Sequence, residues 1–87
     1  MRRSHLPVRW TETAIASLDR AAEYIVQASS VETGLRWVLG IEAAVERLGR
    51  SPHAGRALSE FPDSGYRQLW FGKHRVIYRV ISNAVEV

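Results

Sequence analysis

The side chains best placed to do chemistry, or to bind an anion, are arginines near the C-terminal end. Arg67, Arg75 and Arg79 lie in the runs YRQLWF (66–71) and HRVIYRVI (74–81). A guanidinium stays charged at any working pH and meets a carboxylate or phosphate through two parallel N–H donors. Set among β-branched and aromatic residues, these arginines are either solvated outer-face side chains or a positive cluster on a rigid platform. The residues weight the two readings about equally. The Gly72-Lys73 turn between the runs would bring Arg67 and Arg75 to one side of a sheet with Arg79.

Other chemistries have less to work with. There is no cysteine, hence no thiol nucleophile and no disulfide framework, and no serine sits in a nucleophile-elbow pattern. His5, His53 and His74 are scattered, so each reads as a solvated or satisfied histidine. No cluster has metal-ligand spacing and no glycine-rich phosphate loop is present, so neither a metal nor a cofactor is expected. Glu42 and Glu46, four residues apart, fit a solvated helix face. Trp10, Trp37 and Trp70 are core residues or interface anchors by default.

Eighty-seven residues suffice for one small domain with one core, here taken as 1–87. Such a domain is marginally stable alone, and a partner can supply much of its working stability. Hydrophobic residues at 46% and charged residues at 24% are globular proportions. The net charge is +3 and the pI about 10.0, and Lys73 is the one lysine among twelve basic residues. A basic surface suits nucleic acid or an acidic protein, although arginine-biased codons would give the same skew. The opening MRRSHLPVRW lacks the apolar stretch of a signal peptide, and no run approaches the roughly 20 apolar residues of a membrane span. A cytoplasmic protein with no membrane partner is expected.

The elements that must position the arginines are legible. LPVRW (6–10) alternates like a short strand with one buried face, and Pro7 suggests an edge. Thr11 caps a helix whose apolar residues Ile15, Leu18, Ala22, Ile25 and Val26 follow helical spacing. That helix fades at 27–30. Ser29-x-x-Glu32 reads as a capping box for a second helix with Leu35, Val38, Leu39, Ile41, Val45 and Leu48 as its stripe, stopped by Gly49 and Pro52. The short joint implies an antiparallel helical hairpin, at which Gly34 and Gly40 would permit close approach. Residues 51–65 read as a loop with a brief extended piece. Strands at 66–71, 74–81 and from 84 onward, joined by Gly72-Lys73 and Ser82-Asn83, form a β-meander. The order β-α-α-β-β-β implies an α+β fold, an N-terminal strand with the hairpin packed on one face of a C-terminal antiparallel sheet. Val76, Tyr78 and Val80 would face the hairpin, and Arg75, Ile77 and Arg79 the open side.

These elements, with VRWTETAIASLDRAAEYI at the start, LGRSPHAGRALSEF in the middle and YRQLWFGKHRVIYRV near the end, resemble the ParE/RelE toxin superfamily, in particular its ParE-like branch. Leu18-Asp19, Tyr24-Ile25, Leu48, Pro52, Gly55-Arg56, Glu60-Phe61, Arg67, Leu69, Gly72, Arg75 and Ile77-Tyr78-Arg79 fall into the family's ordered pattern. No single piece is specific; the ordered set is.

The resemblance implies the toxin of a type II toxin–antitoxin pair, a system of plasmid or chromosomal stabilisation and stress response. A cognate antitoxin, ParD-like with a ribbon-helix-helix DNA-binding part, would neutralise it by wrapping the groove and the sheet. Arg56, Arg67, Trp70, Arg75 and Arg79 are the expected antitoxin- or target-binding residues, and an acidic antitoxin segment would suit them. ParE-like members inhibit DNA gyrase and block replication; RelE-like members cut mRNA on the ribosome. The site must decide, since the fold does not. For an RNase, Arg67 and Arg75 match two basic positions, but Leu69 stands where a further basic residue would be, and leucine moves no proton. The chain also stops at Val87, short of the basic tail usual in the family. The gyrase-directed reading is therefore preferred, with no sequence-specific nucleic-acid binding expected. An mRNA endonuclease is the alternative, and a non-toxic basic interaction domain a second.

Overall fold

Thr11 begins the first helix as the spacing predicts. Its hydroxyl accepts from the Ala14 N–H at 3.1 Å and donates to the Val87 carbonyl at 2.9 Å. One side chain thus caps the helix and ties it to the far end of the chain. The computed structural model describes residues 5–87. Its elements are β1 (Val8–Arg9), α1 (Glu12–Ala28), α2 (Val31–Glu46), a 3₁₀ turn (Arg47–Gly49), β2 (Arg56–Ala57), β3 (Arg67–Phe71), β4 (His74–Ile81) and β5 (Ala84–Glu86). The α2 cap is Ser30, whose hydroxyl accepts from the Thr33 N–H, one residue beyond the predicted box. Ser29 closes α1 instead, its N–H bonded to the Ile25 carbonyl.

The helices pack on one face of a five-stranded sheet of order β1-β5-β4-β3-β2. The meander pairs are antiparallel, as expected, but β1 runs parallel to β5, making the sheet mixed. Ser82 and Asn83 both have positive φ, 52° and 58°, the conformation that matches a two-residue hairpin to strand twist.

Two apolar clusters join the layers. Ile41, Val45 and Val76 form one, packed by Trp10, Leu18, Trp37 and Phe71; Leu48, Tyr78 and Val85 form the other. Gly34 lets α2 close onto Val26 of α1, whereas Gly40 makes room for the Phe71 ring of the sheet rather than for the other helix. Helix α1 buries no residue fully, and Leu35 and Leu39 on α2 are each 58% exposed, so the predicted α2 stripe is wider than the face that docks.

Val76 and Tyr78 face the helices as expected, but Val80 does not bury, being 37% exposed. The register explains it: Arg67 pairs with Tyr78, so β3 begins there and Val80 has a neighbour only on the β5 side.

Tyr78 is fully buried, with its hydroxyl accepting from the Gly55 N–H at 2.8 Å and donating to the Pro52 carbonyl at 2.9 Å. A Cβ at Gly55 would lie 2.5 Å from the Gln68 carbonyl and 2.7 Å from that hydroxyl, so only glycine fits. Tyr78→Phe strands a buried N–H and a carbonyl. It should lower the unfolding free energy by about 1–3 kcal/mol in urea titration, with an unchanged denaturant slope.

Candidate functional site

The pleat of β3 and β4 sorts the expected site residues. Direct cross-strand partners share a face, and the two-residue Gly72-Lys73 turn pairs Phe71 with His74, Leu69 with Val76 and Arg67 with Tyr78. Arg67 therefore lies on the helix-facing side, not with Arg75 and Arg79. Its guanidinium is half-buried and donates to the Gly55 carbonyl at 2.7 Å. Gly55 is thus held at its N–H by Tyr78 and at its carbonyl by Arg67. Arg67 fixes the loop that leads into β2; it is not part of an arginine face.

The opposite face carries the remaining candidates in rows set by the register. Arg56, Gln68 and Ile77 form one row, Trp70 and Arg75 a second, and Arg9, Glu86 and Arg79 a third. Trp70 is 60% exposed, and Ile77 is also exposed. The Arg79 Cζ lies 5.3 Å from the centre of the Tyr66 ring, a cation–π distance. This surface of arginine interleaved with tryptophan and tyrosine has the composition of an interface centre.

Two of its arginines are already engaged. Arg79 Nε donates to Glu86 Oε1 at 2.8 Å across β4 and β5, and that bond holds the Arg79 proton more tightly than usual. Arg75 Nη1 donates to Glu60 Oε2 at 2.8 Å and to Gln68 Oε1 at 3.0 Å. Glu60 belongs to the loop between β2 and β3. Its own backbone N–H and then the Arg75 guanidinium hold its carboxyl below the ordinary 4.5. Arg56 is exposed and enters no ion pair among the described residues.

On the helix side an apolar groove of about 340 Å³ opens between α1 and β4. Trp10, Trp37 and Val76 line it, and α1 lines it with Leu18 and with Ala14, Ser17 and Ala21. Those small residues at helical spacing are the signal, present in the sequence, that α1 cannot fill the space beside the sheet. His74 sits in this groove with its ring centre 4.8 Å from Trp37. His5 and His53 are exposed elsewhere. Among the described residues no group of His, Asp and Glu is placed to hold a metal, and no helix is long and apolar enough to cross a membrane. Glu60 and Glu86 were not among the expected site residues. Nothing local in the sequence places Glu60 over β4, and Glu86 becomes visible only once β5 is paired to β4.

Residues 8–87 match the family described as "ParE toxin of type II toxin-antitoxin system, parDE". A chain of the solved structure "Chromosomal ParDE TA system from P. aeruginosa" is 24% identical and superposes with a TM-score of 0.82. The alignment covers 95% of this chain and 90% of that one, a likeness of fold. None of the curated proteins compared matches the chain.

The lowered Glu60 carboxyl has a pH signature. A carboxylate whose folded value lies below its unfolded value stabilises the fold above the unfolded value, and that contribution is lost as pH falls through the folded one. Thermal unfolding of the protein and of Glu60→Gln should therefore differ by a constant amount above about pH 4.5. The two melting curves should converge as pH drops below that value.

Proposed function

Because the chain belongs to the ParE toxin family of type II toxin–antitoxin systems, we propose that it inhibits DNA gyrase by protein–protein contact and is held inactive by a ParD-like antitoxin. The observation that carries this reading is the separation of Arg67 from Arg75. An RNase of this fold would need both guanidinium groups at one phosphate, where they would neutralise charge developing in the transition state. Here the sheet stands between them, and Arg67 is committed to the Gly55 carbonyl at 2.7 Å. Leu69, at the second basic position two residues on from Arg67, is half-buried beside the second core cluster and offers no proton. Arg56, Trp70, Arg75 and Arg79 are then binding residues on the open face.

The antitoxin proposal draws on charge and shape. The open face is rich in arginine, and an acidic antitoxin segment would complement it. The pairing of toxin with antitoxin in the ParDE system of the structural neighbour supports the same partner class. The ribbon-helix-helix type of that antitoxin belongs to the same proposal.

Gyrase supercoiling is the direct test. Purified protein should inhibit it, and the antitoxin encoded beside it should relieve the inhibition. Absence of inhibition at excess protein, together with ribosome-dependent mRNA cleavage that is lost in Arg75→Ala, would overturn the reading in favour of an endonuclease. The two arginines should also separate experimentally. Arg75→Glu should weaken the antitoxin complex without lowering the melting temperature substantially, whereas Arg67→Ala should lower the melting temperature and leave the face intact.

A further inference from the structure

The loop joining β2 to β3 carries the chemistry expected of a partner. Its residues 58–66, LSEFPDSGY, include Glu60 and Asp63, no basic residue, and a Phe61 that is 65% exposed. It is fastened at its base, where Leu58 is buried and its N–H bonds to the Tyr66 carbonyl at 3.3 Å. Its tip is a small knot in which Ser64 donates to the Phe61 carbonyl through both N–H and hydroxyl. Residues 59–66 are all exposed. Between base and tip the loop sends one side chain onto the sheet in an ion pair, Glu60 onto Arg75.

This pair differs in kind from Arg79–Glu86. Arg79 and Glu86 sit opposite one another on paired strands, so the backbone ladder keeps them together whatever binds outside. Glu60 is held to Arg75 only by the loop and by the pair itself. Both side chains remain about a third to a half exposed, at 32% and 45%. An exposed pair of this sort is weak and exchangeable. Gln68, which also accepts from Arg75, lies on the neighbouring strand and is not part of the loop.

We infer that the 58–66 loop is a built-in stand-in for the acidic partner: Glu60 occupies Arg75 in the free protein, and a partner carboxylate must displace it to engage the open face. The inference rests on the proposal that this face receives an acidic segment. Displacement costs the internal pair, so the loop sets a threshold that a weak or sparsely acidic sequence does not pass. The gain of an acidic partner is reduced at one arginine and left whole at Arg56, which favours ligands that reach both.

The test uses the full chain and a fluorescently labelled hexaglutamate peptide at low salt, followed by anisotropy. The wild-type protein should bind, and Glu60→Gln should bind about two- to fivefold tighter, the range expected from removing an exposed competing pair. Asp63→Asn makes the same charge change in the same loop without a sheet contact and should gain less. In an Arg75→Ala background the Glu60→Gln gain should vanish. Equal gains from Asp63→Asn, or a gain that survives Arg75→Ala, would overturn the inference by reducing the loop to its net charge. Wild-type binding with no change in Glu60→Gln would overturn it and leave the acidic-partner reading standing. No hexaglutamate binding by any variant would remove both. Preferential binding of a dT12 oligonucleotide with the same Glu60 dependence would overturn the assignment to a protein partner.

Discussion

Most of the fold depends on how Gly55 is held. Its N–H goes to the Tyr78 hydroxyl and its carbonyl to the Arg67 guanidinium, and those two side chains are direct cross-strand partners. The pair forms a clamp on the inner face of the sheet, closing on a residue too small to resist. Through it the irregular chain after α2 is brought against the meander and β2 is aligned with β3. Buried polar groups are tolerated only when satisfied. Tyr78, with no exposure, meets that condition through Gly55 and Pro52, and no described buried side-chain N or O atom lacks a partner.

That clamp also divides the sheet by role. The inner face spends its polar groups on architecture: Tyr78 and Arg67 on the loop, and Thr11 on Val87. The outer face spends its own on contacts that do not hold the core, with Glu60 and Glu86 on two arginines and Tyr66 beneath one of them. Exposed ion pairs contribute little to stability, so this surface can change partners without unfolding the protein. Helix α1, which buries nothing fully, packs Leu18 against the core and leaves the groove open beside it.

Much of this was legible in the residues. The helical spacing, the Thr11 cap, the two-residue turns and the strand limits at 74–81 follow from local preference, and local preference is where sequence reasoning is strong. The side of the sheet that Arg67 takes is itself encoded locally. A two-residue turn at 72–73 fixes the pairing of 71 with 74, and counting back four places puts 67 opposite 78. Alternation already placed Arg67 with Leu69 and Phe71, on the side that Tyr78 shares. What was not legible is non-local. The parallel pairing of β1 with β5 and the reach of Glu60 to Arg75 depend on chain paths that no local window encodes. Val80 is exposed for the same reason: its burial was decided by where a different strand begins.

The parallel pairing of β1 with β5 has a consequence in time. Val8 meets Val85, and Thr11 bonds to a carbonyl 76 residues away, so β1 completes its ladder only with β5, the strand most distant from it in sequence among the described elements. The helical hairpin can form from local contacts, but β1 cannot complete its pairing until β5 is available. Neither face of the sheet is complete before β5 joins β1, so a partner that reads the assembled sheet reads a surface that local folding alone does not build.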